Sequence, residues 1–148
     1  MTAYAHHDGY YSLDLLLAGL VEHVAHVRHA VVISDDGLVV STSASLAREE
    51  AERLAATASG LMSLGRGVCV DFQGGSVVQA LIEMEEGFLI LTSAGAGAHL
   101  AVLATAIADV GVVAFEMNML VKRIGEHLGV APRSPGVSTT PSGRAEAP

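Results

Sequence analysis

From Leu13 onward the apolar residues recur at helical spacing. Leu13, Leu16, Leu17, Leu20, Val24 and Val27 form one stripe, while Asp14, Glu22, His23 and His26 fall off it. Ser12 stands where an N-cap belongs, and Asp14 follows in the first turn on the favourable side of the helix dipole. Two short apolar runs, Ala30–Ile33 and Leu38–Val40, then flank Asp35-Asp36-Gly37, and an Asp-Gly pair between such runs predicts a tight hairpin. A second helix is predicted from about Leu46 to Leu64, capped by Ser45 or a neighbour, with Glu49, Glu50 and Glu52 near its start. After a glycine-rich loop (Gly65, Gly67, Gly74, Gly75) come three strand-like runs, Ser76–Met84, Phe88–Ala94 and Ala98–Ala104. Their connections, Glu85-Glu86-Gly87 and Gly95-Ala96-Gly97, are too short for crossovers, so these strands are antiparallel neighbours. A last helix starts near Asp109 and stops at Gly129 with Pro132 beyond it. Its buried stripe is Val110, Val113, Met117, Leu120, Val121, Ile124 and Leu128.

The order is therefore α-β-β-α-β-β-β-α, an α+β domain with a five-stranded antiparallel sheet and helices on both faces. The domain is expected over residues 12–130. Residues 1–11 are expected to be a loose arm, and residues 131–148, which hold all four prolines, a disordered tail.

The second helix stands apart. No charge lies between Arg53 and Arg66, and Ala55, Ala56, Ala58, Ser59, Gly60 and Ser63 keep that stretch thin. With Leu54, Ala58 and Leu61 turned to a sheet, Ala51, Ala55, Ser59 and Met62 make a second smooth face. A helix apolar on more than one side is buried on more than one side.

Composition sharpens this expectation. Apolar residues make up 51% of the 148 positions and charged ones only 16%, against about 25% charged in an ordinary domain. That excludes disorder across the body and leaves more apolar side chain than one small domain hides, so a second copy or another partner is expected. The net charge is −8, with 6 basic and 15 acidic side chains in residues 1–130. Without a basic stripe or an aromatic platform, nucleic acid is excluded as a partner. One cysteine, Cys69, permits no internal disulfide and fits a reducing cytoplasm. The polar N-terminus does not look like a secretory signal. Gly87–Ala108 lacks charge, but Gly95, Gly97 and His99 break it into strand-length runs, so no membrane insertion is expected.

The element order, together with several segments, resembles the Roadblock/LC7 (dynein light chain) family, and most nearly its single-domain actinobacterial members. The segments are His29-Ala30-Val31-Val32-Ile33-Ser34-Asp35-Asp36-Gly37-Leu38, Ala55–Leu64, and Ala108–Asn118 continuing through Leu120-Val121-Lys122-Arg123. The resemblance implies a profilin-like fold and a homodimer whose second helices pack side by side and whose third strands pair into a ten-stranded sheet. On that basis Ala51, Ala55, Ala58, Ser59, Met62 and Val78 are the expected dimer seam. It also implies a non-catalytic regulator or scaffold for a small Ras-like GTPase. In actinobacteria a sensor-type histidine kinase and a small helical protein are the further partners implied, which would place the protein at the membrane through them. Arg48, Glu49, Glu52 and Arg53 are then expected to form the rim of a partner-binding surface; as a helix-surface charge cluster they also read as simple solvated pairs.

No catalytic or cofactor motif competes with this. His23, His26 and His29 lack the i, i+4 spacing of a helical zinc site. Gly65-Arg66-Gly67 is not followed by Lys-Ser/Thr, so it is no phosphate-binding loop. Cys69 has no nucleophile signature, Glu83, Glu85 and Glu86 sit at a strand end, and no Gly-x-Ser-x-Gly elbow occurs. Arg53 as an arginine finger has no support from the family likeness. Catalytic residues, cofactors and metals are accordingly expected to be none. Two further readings remain open: a passive scaffold, and a small-molecule sensor on a profilin-like sheet.

Overall fold

The computed structural model describes residues 4–95 and 97–127. Its elements are α1 (Tyr4–His23), β1 (Val27–Ser34), β2 (Val39–Thr42), α2 (Arg48–Asp71), β3 (Gln79–Met84), β4 (Gly87–Gly95), β5 (Ala98–Thr105) and α3 (Val110–His127). The five strands form one antiparallel sheet in the order β2-β1-β5-β4-β3. The fold is profilin-like, as the family resemblance implied. The tail expected over 131–148 lies outside the described residues.

Strands β1 and β5 are central and therefore apolar on both faces. Ala30, Val31, Val32 and Ile33 are all fully buried, and so are Leu100, Ala101 and Val102 opposite them. Alternate residues feed two cores. On one face Val32, Ile90, Leu100 and Val102 meet Leu13, Leu17 and Leu20 of α1 and Met117 and Ile124 of α3. On the other, Val31, Ile33, Leu89, Leu91 and Ala101 meet α2 alone. The stripes assigned to α1 and α3 from periodicity are the buried ones wherever they are described.

Local chemistry sets most of the turns. Gly37 takes φ +84° in the β1–β2 hairpin, and its N–H donates to the Ser34 carbonyl at 3.0 Å. Asp109 caps α3, its Oδ1 accepting from the Val112 N–H at 3.2 Å. Gly95 and Gly97, at φ +70° and +71°, turn β4 into β5.

Several boundaries depart from the sequence-based expectations, among them the end of α1 at His23, with Val27 already on β1, and the start of β3 at Gln79 rather than Ser76. Helix α1 starts at Tyr4, so Ser12 lies inside it, and Asp14 serves instead as acceptor for the hydroxyl of buried Ser41 on β2. Ser45 does not cap α2: its hydroxyl donates to the Arg28 carbonyl at 3.0 Å and lies 2.9 Å from His29 Nδ1, while Ala47 is the cap residue. Finally, α2 continues seven residues past Leu64, taking Gly65, Arg66, Gly67 and Cys69 into the helix. Helix glycine costs about 1 kcal/mol, but Gly65 has a packing reason. A Cβ there would lie 3.1 Å from Val77, which packs against the α2 core.

Candidate interaction surface

Helix α2 carries two apolar stripes; Ala58 lies on the sheet as its spacing predicted, but Ala51, Ala55 and Met62 lie there too and the leucines do not. Ala51, Ala55, Ala58 and Met62, spaced four, three and four apart, are 0–2% exposed and lie on the sheet. Alanines suit this place because a side chain that ends at Cβ lets a helix settle close on the β-branched surface below. These four residues are buried in the protomer's own core. Of the remaining expected seam residues, Ser59 is half-buried and donates its hydroxyl to the Asp35 carbonyl at 3.0 Å, tying α2 to the hairpin. Val78 is 74% exposed.

Leu54 and Leu61, expected to point at the sheet, are only half-buried at its margin. They continue into Leu64 and Val68, at 72% and 59% exposure. Positions 54, 61, 64 and 68 repeat with the seven-residue spacing of a helix–helix seam. Beyond them Val70 and Phe72 stand almost fully out of the protein, at 78% and 80%. Strand β3 extends this surface. It is the sheet edge, paired only with β4, with Ile82 and Met84 exposed on the α2 face and Leu81 exposed on the other. An unpaired edge with apolar side chains beside an apolar helix face is a template for another chain. The sequence signal for this surface was present in the 54-61-64-68 spacing, but it extends past the predicted end of the helix.

Arg48, Glu49, Glu52 and Arg53 are all exposed, and Arg48 Nε donates to Glu52 Oε1 at 3.1 Å across one helical turn. They sit at the N-terminal end of α2, where Arg48 is sixteen residues, and so about 24 Å of helix, from Leu64. Within one protomer they border only the Leu54 end of the apolar stretch and lie far from Leu64 and Val68.

The chemistry weighed in sequence falls apart in space. His23 Nδ1 bonds the Gly19 carbonyl within α1, His26 lies in the following turn at φ +70°, and His29 is on β1. Gly65-Arg66-Gly67 is helical and forms no anion cradle. Cys69 is half-buried on α2, and Glu83, Glu85 and Glu86 are exposed at the end of β3. Among the described residues no three His, Cys, Asp or Glu side chains gather as a metal site, and no helix is long and apolar enough to cross a membrane.

An edge-open antiparallel sheet with two helices on one face and one on the other defines a small α+β domain. The Roadblock/LC7 domain profile matches residues 13–104, and the chain belongs to that family. A crystal structure of a Roadblock/LC7 domain from Streptomyces avermitilis is 44% identical, with a TM-score of 0.76 over 79% of this chain and 98% of that one. A second from the same organism is 62% identical, with a TM-score of 0.64 over 76% and 97%. Myxococcus xanthus MglB shares the fold, with a TM-score of 0.75 over 84% and 95% at only 13% identity. No curated protein sequence matches the chain.

Proposed function

We propose that the protein is a homodimeric, non-catalytic regulator of a small Ras-like GTPase, with the exposed stripe of α2 and the edge strand β3 as the dimer seam. Membership of the Roadblock/LC7 family supports this reading, and the observation that carries it is the surface from Leu54 to Val68 together with Val78 and β3. Two copies related by a two-fold axis across α2 run their helices in opposite directions. The Arg48–Arg53 end of each then comes alongside the partner's Leu64–Phe72 stretch, which restores Arg48, Glu49, Glu52 and Arg53 as a polar rim to an apolar centre. A GTPase docking on the paired helices meets that rim first. Regulation then acts by reshaping the GTPase's own switch loops, because among the described residues no arginine or carboxylate is set apart for phosphoryl transfer.

The test is GTP hydrolysis and nucleotide exchange by the cognate GTPase, each measured with and without the protein. A change in either rate is expected, and it should be lost in a variant that stays monomeric. Binding with both rates unchanged would instead establish a passive scaffold, one that joins the GTPase to a sensor histidine kinase and a small helical protein.

A further inference from the structure

The face of the sheet opposite α2 has an apolar step at its β3 edge. On that face α1 packs on β1 and β2, and α3 packs on β4. Leu81 of β3 points to the same side, since it pairs with Ile90 of that core, and is 45% exposed. Helix α3 has two unlike flanks. Val110 and Val121 on one flank pack into the core, and Val121 borders the same recess as Ala98 of β5. The other flank therefore looks the opposite way, over β3. It is bare: Val112, Phe115 and Met119 are 51%, 61% and 44% exposed, at the three- and four-residue spacing of a helix–helix seam. Glu83, two residues along β3 from Leu81 and also exposed, stands at the foot of this wall.

Pairing of β3 with its counterpart in the dimer turns two such steps into one trough. The two β4 strands then lie three strand spacings apart, about 14 Å. Helices seated on them cannot close the gap, because helices in contact lie about 8–10 Å apart. A third helix laid between them touches both. A second pair of copies suits the trough less well. Each wall is three side chains over about two helical turns, short of the roughly 800 Å² that a stable complex of folded proteins takes from each partner. The charge is also one-sided. Around the wall Glu83, Glu116 and Glu126 outnumber Lys122 and Arg123 by one per chain, in a protein of net charge −8.

We infer that this trough binds an amphipathic α-helix of another protein, apolar along one side and basic on its flanks, with one helix to each pair of chains. Phe115 is the central anchor, with Val112 and Met119 a turn to either side and Leu81 beneath. The inference rests on the dimer reading above. It uses the face opposite the paired α2 helices, so a GTPase there and a helix here can be held together.

The probe is a fluorescein-labelled peptide of leucine and lysine about four helical turns long, its leucines at helical spacing, titrated with the full-length protein and followed by anisotropy. Light scattering of the protein alone gives its mass. Saturation at one peptide per two chains is expected, with a Kd below about 100 μM that weakens at least about tenfold in Phe115→Ser and in Met119→Gln. Both side chains are exposed, and unchanged melting temperatures will show that the fold is kept. A peptide of the same composition, reordered to break the helical spacing, is expected not to saturate. A dimer that takes no peptide, undiminished binding in Phe115→Ser, or equal binding of the reordered peptide would each overturn the trough and leave the dimer standing. A tetramer that Phe115→Ser dissolves would put a second pair of copies there instead. A wild-type protein of monomer mass would overturn the dimer, and the trough with it.

Discussion

At the scale of single residues, the glycines separate by what surrounds them. Gly87 opens β4 with its Cα so close to β5 that an added Cβ would lie 2.6 Å from the Ala104 carbonyl oxygen. Backbone cannot step aside as a side chain tip can, so Gly87→Ala is expected to cost about 1–3 kcal/mol. Gly19 is the opposite case: it sits inside α1 with nothing within 4 Å of the same position. There Gly19→Ala is expected to add about 0.5–1 kcal/mol by reducing the freedom of the unfolded chain. Thermal or urea melts of the two variants check both signs. In sequence Gly87 reads as part of the Glu85-Glu86-Gly87 connection and Gly19 as a helix position, and neither reading shows what an added Cβ would meet. The same holds for His99: its place at the start of a strand is readable, but its pairing with Asp35, 64 positions away, is not.

At the scale of elements, α2 shows how far periodicity reaches. Its amphipathic pattern, its acidic first turn and its lack of charge between Arg53 and Arg66 identify a helix buried on more than one side. The choice between its two apolar stripes is another matter, because each has the right spacing to be buried. Hydrophobicity favours giving the leucines to the sheet, yet the alanines are there. The deciding term is volume: Val31, Ile33, Leu89 and Leu91 already fill the space beneath, and only a thin helix face fits over them. Ala55→Leu is therefore expected to destabilise the protomer by about 1–3 kcal/mol through overpacking. Ala55→Arg is expected to unfold it, because a lone buried charge has no partner there. Circular dichroism of the variants discriminates: a folded, well-behaved monomer for Ala55→Arg would show that this stripe faces outward. The helix end was illegible for a related reason. Gly65 and Gly67 read as a loop, and only the approach of Val77 explains why a helix keeps Gly65.

At the scale of the whole molecule, the apolar excess is partly resolved and partly left on the surface. Two cores, one on each side of the sheet, take up the strands and the inner faces of three helices. What remains outside is concentrated along Leu64, Val68, Phe72, Val78 and β3, with a smaller stripe at Val112, Phe115 and Met119 on α3. If the former is the seam, Leu64→Glu and Val68→Glu should yield a folded monomer, since both side chains are exposed in the single protomer. Light scattering is expected to show half the mass, and the melting temperature should lose its dependence on concentration. A variant that unfolds, or a mass that does not change, would remove these residues from the seam.

The order α-β-β-α-β-β-β-α, the antiparallel connections, the hairpin at Asp35-Asp36-Gly37, the Asp109 cap and the buried stripes of α1 and α3 are all local in origin. They follow from spacing, turn chemistry and charge within a few residues, so the sequence alone determines them, and with them the family. What α2 turns toward its own sheet, where that helix ends, and what collects around His99 depend on groups far apart in the chain. Those were decided by how much volume the sheet leaves free and by which polar atoms the closed fold brings within reach of one another. Periodicity marks a face as apolar; only the packed structure says which neighbour covers it.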